Sequence, residues 1–153
     1  MHELVISPEG VYVKGGLADK LRLEPTDVWQ RIYPNEVVSL IWEGDQLTVD
    51  VELEDGEYTT HGQIKTRSVY PLSMAHGILP MTLVQVYRNT LVNPRFVEPL
   101  GAGEKPGIIV NQYKGYAPYA VYKAGYSKYA HIGVSRECKA ALDAALALRG
   151  VKP

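Results

Sequence analysis

Apolar and polar residues alternate most regularly between positions 46 and 54 of this chain. Four aliphatic residues share one face of this segment, separated by polar or acidic residues: Leu47, Val49, Val51 and Leu53. A period of two is typical of a half-buried strand. Because Asp55-Gly56 is a hairpin signal, the pattern predicts an antiparallel meander of Val37–Trp42, Gln46–Glu54 and Glu57–Lys65. We expect the acidic residues of the meander on its solvent face.

The residues before the meander predict a hairpin and a short helix. The strands His2–Ile6 and Val11–Lys14 flank a Ser-Pro-Glu-Gly turn. Thr26 with an acidic residue after it indicates a helix that extends to Ile32 and is stopped by Pro34. After the meander, Met81–Tyr87 favours a strand because it is rich in β-branched residues.

The C-terminal part predicts strands followed by one helix. The strand candidates are Ile108–Tyr113, Tyr119–Lys123 and Lys128–Val134. Ser135 is a helix cap, and the helix Arg136–Leu148 carries an apolar stripe of Cys138, Ala141, Leu142, Ala145 and Leu148. The predicted fold class is α+β, with an antiparallel N-terminal sheet and a strand-rich C-terminal subdomain backed by one helix. We place a β-rich module at 1–100, a linker at 101–107 and the subdomain at 108–153; one compact domain is the alternative.

Charge divides the chain into unlike halves. Residues 1–60 carry thirteen acidic and four basic residues, whereas residues 61–153 carry four acidic and twelve basic residues. The formal net charge of −1 conceals this split. Two interpretations remain open: the basic half meets nucleic acid, or the two halves of neighbouring copies dock head to tail.

Several classes of protein are disfavoured by the residues present. The single cysteine, Cys138, excludes an internal disulfide, and the N-terminus lacks the pattern of a signal peptide. We therefore expect a cytoplasmic protein that makes no membrane contact. The four histidines have no metal-ligand spacing, no phosphate-loop motif is complete and no catalytic signature is present. The sequence predicts a non-enzymatic protein with no metal and no cofactor.

Tyrosine is concentrated near the C-terminus. Six of the eleven tyrosines lie between Tyr113 and Tyr129, interspersed with lysines, and no acidic residue occurs between Lys105 and Arg136. Aromatic rings stack on bases and cations pair with phosphates, so this composition points to a nucleic acid or nucleotide partner. The candidate contact residues are Lys114, Tyr116, Tyr119, Tyr122, Lys123, Tyr126, Lys128, Tyr129, His131 and Arg136. A polar turn region adds secondary candidates: Arg88, Asn89, Asn93 and Arg95.

Three short strings resemble the plant-type AP2 DNA-binding domain and its integrase relatives. They are Asn111-Gln112-Tyr113-Lys114-Gly115, His131-Ile132-Gly133-Val134 and Lys139-Ala140-Ala141-Leu142-Asp143-Ala144-Ala145. The resemblance implies three strands leading into one helix, and DNA binding. This chain lacks the tryptophan and the arginine-dense strands of that family.

The sequence supports one leading hypothesis and three alternatives. The leading hypothesis is a binding protein whose Tyr/Lys-rich C-terminal surface engages nucleic acid, as in an accessory protein of a phage or mobile element. The first alternative is a self-assembling structural or inhibitory protein that forms oligomers or docks on a protein partner. The second is a protein that sequesters a small nucleotide. Under the third, the tyrosines only stabilise a sheet, since they favour strands and pair across them.

Overall fold

The computed structural model describes residues 3–56, 58–67, 71–78, 83–99, 116–122 and 129–148. In its first half the strands are β1 (Leu4–Ser7), β2 (Gly10–Val13), β3 (Gln30–Ile32), β4 (Val37–Glu43), β5 (Gln46–Asp55) and β6 (Tyr58–Arg67). Those that follow are β7 (Val84–Tyr87), β8 (Thr90–Val92), β9 (Val97–Pro99), β10 (Tyr116–Tyr122) and β11 (Tyr129–Ser135). The α-helices are α1 (Gly15–Lys20), α2 (Leu72–Ile78) and α3 (Arg136–Leu148). Strands joined antiparallel, with helices outside the sheets, confirm the α+β class.

The N-terminal hairpin forms as the sequence predicted. Strands β1 and β2 pair antiparallel, and β3 pairs with the other edge of β2 to complete a three-stranded sheet, which we call the N-terminal sheet. Gly10 has a φ of +138°, and a Cβ there would collide with the carbonyl oxygen of Ile32. Glycine at this position therefore allows the hairpin and β3 to lie close together.

The helix predicted from Thr26 to Ile32 is wrong. Gln30 and Ile32 instead pair with Val13 and Val11 in β3, and Ile32 is fully buried. Pairing with β2 and burial of this one side chain outweigh the capping signal, because tertiary contacts override local propensity. The helix of this region is α1, which begins with two glycines and gave no helical signal in the sequence. Helix α2 was missed as well.

The predicted meander is confirmed. Strands β4, β5 and β6 pair in sequence order and continue through β8 to β7 in one five-stranded sheet. Leu47, Val49 and Val51 are fully buried on one face, as the alternation indicated. Strand β7 confirms the preference for a strand in the described part of 81–87.

The expectation that the acidic residues of the meander all face solvent is wrong for Asp50. Its side chain is 2% exposed, and it accepts hydrogen bonds from Ser39 Oγ at 3.1 Å and Gln63 Nε2 at 2.8 Å. Asp50 is the register partner of Ser39, and Ser39 is also the partner of the buried Val92. The five-stranded sheet is therefore covered on parts of both faces, so these buried polar groups need partners.

Two apolar clusters flank this sheet. The first joins it to the N-terminal sheet and α1, with Val11, Val13, Leu17, Ile32, Leu40, Val49 and Ile64 among its members. The second lies on the opposite face and contains Val38, Val86, Val92, Phe96, Val97, Val134, Leu142 and Leu146. The neighbours Leu91 and Val92 fall in different clusters, as alternation along a central strand requires. The five-stranded sheet is the middle layer.

The C-terminal helix begins and ends where the sequence predicted. On α3, Leu142 and Leu146 are buried, and Cys138 packs partly against the second cluster. Leu148, which was predicted on the apolar stripe, is 91% exposed, so Leu146 takes that place. The predicted strand 108–113 and the linker 101–107 lie outside the described residues. Helix α3 contacts β7, and β9 pairs with β10, so segments before and after position 100 share a sheet and a core.

Partial burial raises the pKa of the Glu52 carboxyl above its usual value. The positive charge of Arg95 lowers this pKa by a smaller amount than burial raises it, and the negative charge of Glu54 raises it further. A folded pKa above the unfolded value means that the native state binds more protons, so stability falls as pH rises through the folded pKa. Glu52→Gln is expected to raise the free energy of unfolding at neutral pH by no more than ~0.5 kcal/mol. Urea unfolding at neutral pH and at pH ~3.5, where model-peptide carboxyls are mostly protonated, checks this: a gain that is the same at both pH values would contradict the assignment.

Candidate nucleic-acid interface

Strands β10 and β11 bring several of the predicted contact residues into register. Tyr122 pairs with Tyr129, Ala120 with His131 and Tyr116 with Ser135. Residues that are register partners share a face of a sheet, as do residues two apart along a strand. Tyr116, Tyr122, Tyr129 and His131 therefore occupy one face, which we call the tyrosine face.

The opposite face of this sheet belongs to the core. Val134 pairs with Ala117, and Val97 of β9 pairs with Val121. Val97 and Val134 are both fully buried in the second cluster. By the same alternation Tyr119, the partner of Ile132 and Pro99, is placed on this core-side face. The register thus separates Tyr119 from the other candidates.

Part of the predicted site lies outside the described residues. These candidates are Lys114, Lys123, Tyr126 and Lys128. Arg136 is the first residue of α3. It directly follows Ser135, which is the last residue of β11 and the register partner of Tyr116. The backbone thus places Arg136 next to the Tyr116 end of the tyrosine face.

Among the secondary candidates, Arg88 is exposed and is not tied to the rest of the fold by an ion pair in the described ranges. It lies in the turn between β7 and β8, and its guanidinium carbon is 5.5 Å from the centre of the Tyr87 ring. It makes no ion pair with a carboxylate in the described part of the chain. A cation held over a ring at a turn is available to a phosphate.

The other three secondary candidates hold the fold together. Asn89 Nδ2 donates to the carbonyl oxygen of Trp42 at 2.9 Å. Asn93 is 5% exposed; its Nδ2 donates to the Val37 carbonyl at 2.9 Å and its Oδ1 accepts from Arg95 N at 3.0 Å. Arg95 donates to Glu54 Oε1 at 2.8 Å and to the carbonyl of Asn35 at 2.8 Å. These contacts account for the residue types without a ligand.

A second surface was missed by the sequence reasoning. The outer face of the N-terminal sheet carries an open groove of about 550 Å³, which we call the N-terminal groove, lined by Val5, Ser7, Pro8, Glu9, Tyr12 and Trp29. Assigning Trp29 to a helix hid this surface. The signal was available in the alternation of Val11, Tyr12 and Val13, which places Tyr12 on the face away from the core.

Within the described ranges, no group of three His, Cys, Asp or Glu side chains is arranged to hold a metal ion. None of the helices in those ranges is long and apolar enough to cross a lipid bilayer. Cys138 is partly buried against the second cluster, which is typical of a packing residue.

The described elements define an α+β protein built from three antiparallel sheets. No protein-family model matches the chain. No curated protein matches it either. Among solved structures it is similar to a LytTr DNA-binding domain of a methyl-accepting/DNA response regulator from Bacillus cereus, at 15% identity and a TM-score of 0.48, over 95% of this chain and 98% of that one.

Proposed function

We propose that the protein binds nucleic acid, with the tyrosine face as the surface on which bases stack. The observation that carries the proposal is the register of β10 and β11, which sets Tyr122 opposite Tyr129 and places both on the face away from Val97 and Val134. Register partners lie about 5 Å apart at Cβ. Two rings at that spacing offer stacking surfaces to successive unpaired bases.

Charge supports the same partner. The segment from Lys105 to Arg136 contains no acidic residue, and Lys114, Lys123 and Lys128 lie within it. Arg136 begins α3 directly after β11. Cations in this number set the affinity for a phosphate backbone, whereas rings contribute a term that does not depend on salt.

Salt dependence tests the phosphate contacts. If Lys114, Lys123, Lys128, Arg136 and Arg88 neutralise about five phosphates, log K against log salt is expected to have a slope of roughly −3.5 to −4.5. Lys123→Ala is expected to reduce the magnitude of that slope by about one unit. Fluorescence anisotropy with a labelled oligonucleotide measures both. A slope near zero in the wild-type protein would contradict the proposal.

Arg88 and Arg95 are two exposed arginines that can be compared as a matched pair. Arg88 is free of carboxylate partners in the described ranges, whereas Arg95 is bonded to Glu54. Arg88→Ala is expected to lower the slope magnitude by about one unit with little effect on stability. Arg95→Ala is expected to leave the slope unchanged and cost at most ~1 kcal/mol in stability, because its ion pair is about half exposed. Equal slopes for the two variants would remove Arg88 from the interface.

A further inference from the structure

The N-terminal groove lies on the far side of the N-terminal sheet from its core. Val5, Tyr12 and Arg31 are register partners across β1, β2 and β3, so they share one face. The alternate residues Val11 and Ile32 are fully buried on the other face. The groove is therefore a feature of the outer surface, and Val5, Tyr12 and Trp29 are among the residues that line it.

Large apolar side chains are exposed in the chain segment 28–33, which supplies Trp29 to this groove. Trp29 is 41% exposed, Val28 48% and Tyr33 49%. Lys14 Nζ is 4.7 Å from the centre of the Trp29 ring, and the Arg31 guanidinium is 4.2 Å from that of Tyr33. These cation–π contacts favour the observed positions of the two rings. Exposed aromatic and aliphatic side chains at a groove are typical of a binding surface.

Glu9 gives the groove a chemical preference. Its Oε2 accepts a hydrogen bond from the Tyr12 hydroxyl at 2.9 Å and lies 4.0 Å from Arg31 Nη1. Its side chain is 70% exposed, and its Oε1 has no hydrogen-bond partner within the described ranges. One oxygen of the carboxylate is thus held by Tyr12, and the other is left for a further donor. A guanidinium or ammonium is the strongest partner for such an oxygen.

The surrounding charge points the same way. Glu24 and Asp27 are exposed in the segment that leads to Trp29. The nearby cations, Lys14 and Arg31, already stack on rings. Residues 1–60 as a whole carry nine more acidic than basic residues. This field attracts a basic partner and repels a nucleic acid.

We propose that the N-terminal groove binds an extended peptide segment of a partner protein, in which a proline or aromatic side chain lies next to an arginine or lysine. The apolar side chain packs between Tyr12 and Trp29, and the basic side chain donates to Glu9 Oε1. Grooves lined by aromatic rings suit extended proline-containing segments, which lose little conformational entropy on binding. This contact is separate from the tyrosine face, so the protein would join a basic partner protein to a nucleic acid.

A library of short random peptides displayed on ribosomes tests the proposal with the full-length chain. Selection on the wild-type protein, with counter-selection on Trp29→Ala, is expected to enrich peptides that combine Lys or Arg with Pro or an aromatic residue. Synthetic copies of those peptides should bind Trp29→Ala about tenfold more weakly than the wild type, the effect typical of an interface anchor. No enrichment, or enrichment of acidic peptides, would overturn the proposal.

Two variants that each remove one negative charge distinguish a direct contact of Glu9 from the overall electrostatic field of the acidic residues. Glu9→Gln keeps the acceptor for Tyr12 but removes the charge, and it is expected to weaken binding and flatten its salt dependence. Glu43→Gln makes the same change at an exposed site in β4, which belongs to the five-stranded sheet rather than the N-terminal sheet, and is expected to bind as the wild type does. Equal affinity of the Glu9 variant and the wild type would overturn the assignment. Competition by an oligonucleotide, or concentration-dependent dimers that mask the groove, would identify a different occupant and also overturn it.

Discussion

Asn93→Ala is expected to lower the free energy of unfolding by about 3 kcal/mol, from the loss of a helix-type cap and a buried donor. The Asn93 amide is buried and joins two separate turns: it donates to the Val37 carbonyl and accepts from Arg95 N. Alanine leaves both backbone groups without these partners, and the Val37 carbonyl lies in the buried part of the site. Chemical denaturation followed by circular dichroism measures the change.

Asn35→Ala is the matched control for this prediction. Asn35 lies in the 3₁₀ turn Pro34–Glu36, as Asn93 adjoins the similar turn Pro94–Phe96, but its side chain is exposed. The change at Asn35 is expected to stay within ~0.5 kcal/mol of the wild type. Similar losses for the two variants would mean that the buried hydrogen bonds of Asn93 contribute little.

Tyr122→Ala is expected to weaken nucleic-acid binding by roughly 1–3 kcal/mol, which corresponds to about 5-fold to 150-fold in Kd. The reason is the loss of one stacking ring opposite Tyr129 on the tyrosine face. Because the substitution removes no charge, the salt slope is expected to remain as in the wild type. Anisotropy titrations at several salt concentrations measure the affinity and the slope together.

Two further variants make the result specific. Tyr122→Phe keeps the ring and is expected to bind with nearly the wild-type affinity. Tyr119→Ala changes the core-side face of the same sheet, so its main effect is expected on stability rather than on the affinity of the folded protein. If Tyr122→Phe loses as much affinity as Tyr122→Ala, the hydroxyl rather than stacking makes the contact.

The elements that the sequence predicted well are those specified by local pattern. Residues 46–54 alternate without interruption and Asp55-Gly56 fixes the hairpin, so β5 and its register with β6 follow. Ser135 before an apolar spacing of three and four likewise indicates α3. In both cases the local propensity and the final packing agree.

The elements that the sequence missed depend on distant partners. Residues 30–32 become β3 only because β2 is available to pair with them and Ile32 reaches the first cluster. The alternation alone predicts that Asp50 faces solvent. In the structure β8 and the second cluster cover that part of the sheet, so Asp50 is buried. The alternation of Val11, Tyr12 and Val13 indicates that Tyr12 faces outward, but the exposed position of Trp29 beside it depends on the pairing of β3 with β2. Within the candidate site, composition identified the tyrosines, but only the β10–β11 register divides them between two faces.

Binding of nucleic acid to the tyrosine face is tested by the affinity of the wild-type protein for oligonucleotides. Labelled single-stranded and duplex oligonucleotides, and free nucleotides, are titrated with the full-length chain at about 50 mM salt, where phosphate contacts are strong. We expect measurable binding to an oligonucleotide that weakens steeply as salt is raised. No affinity for any of these ligands would contradict it, and the tyrosines of β10 and β11 would then serve the sheet alone.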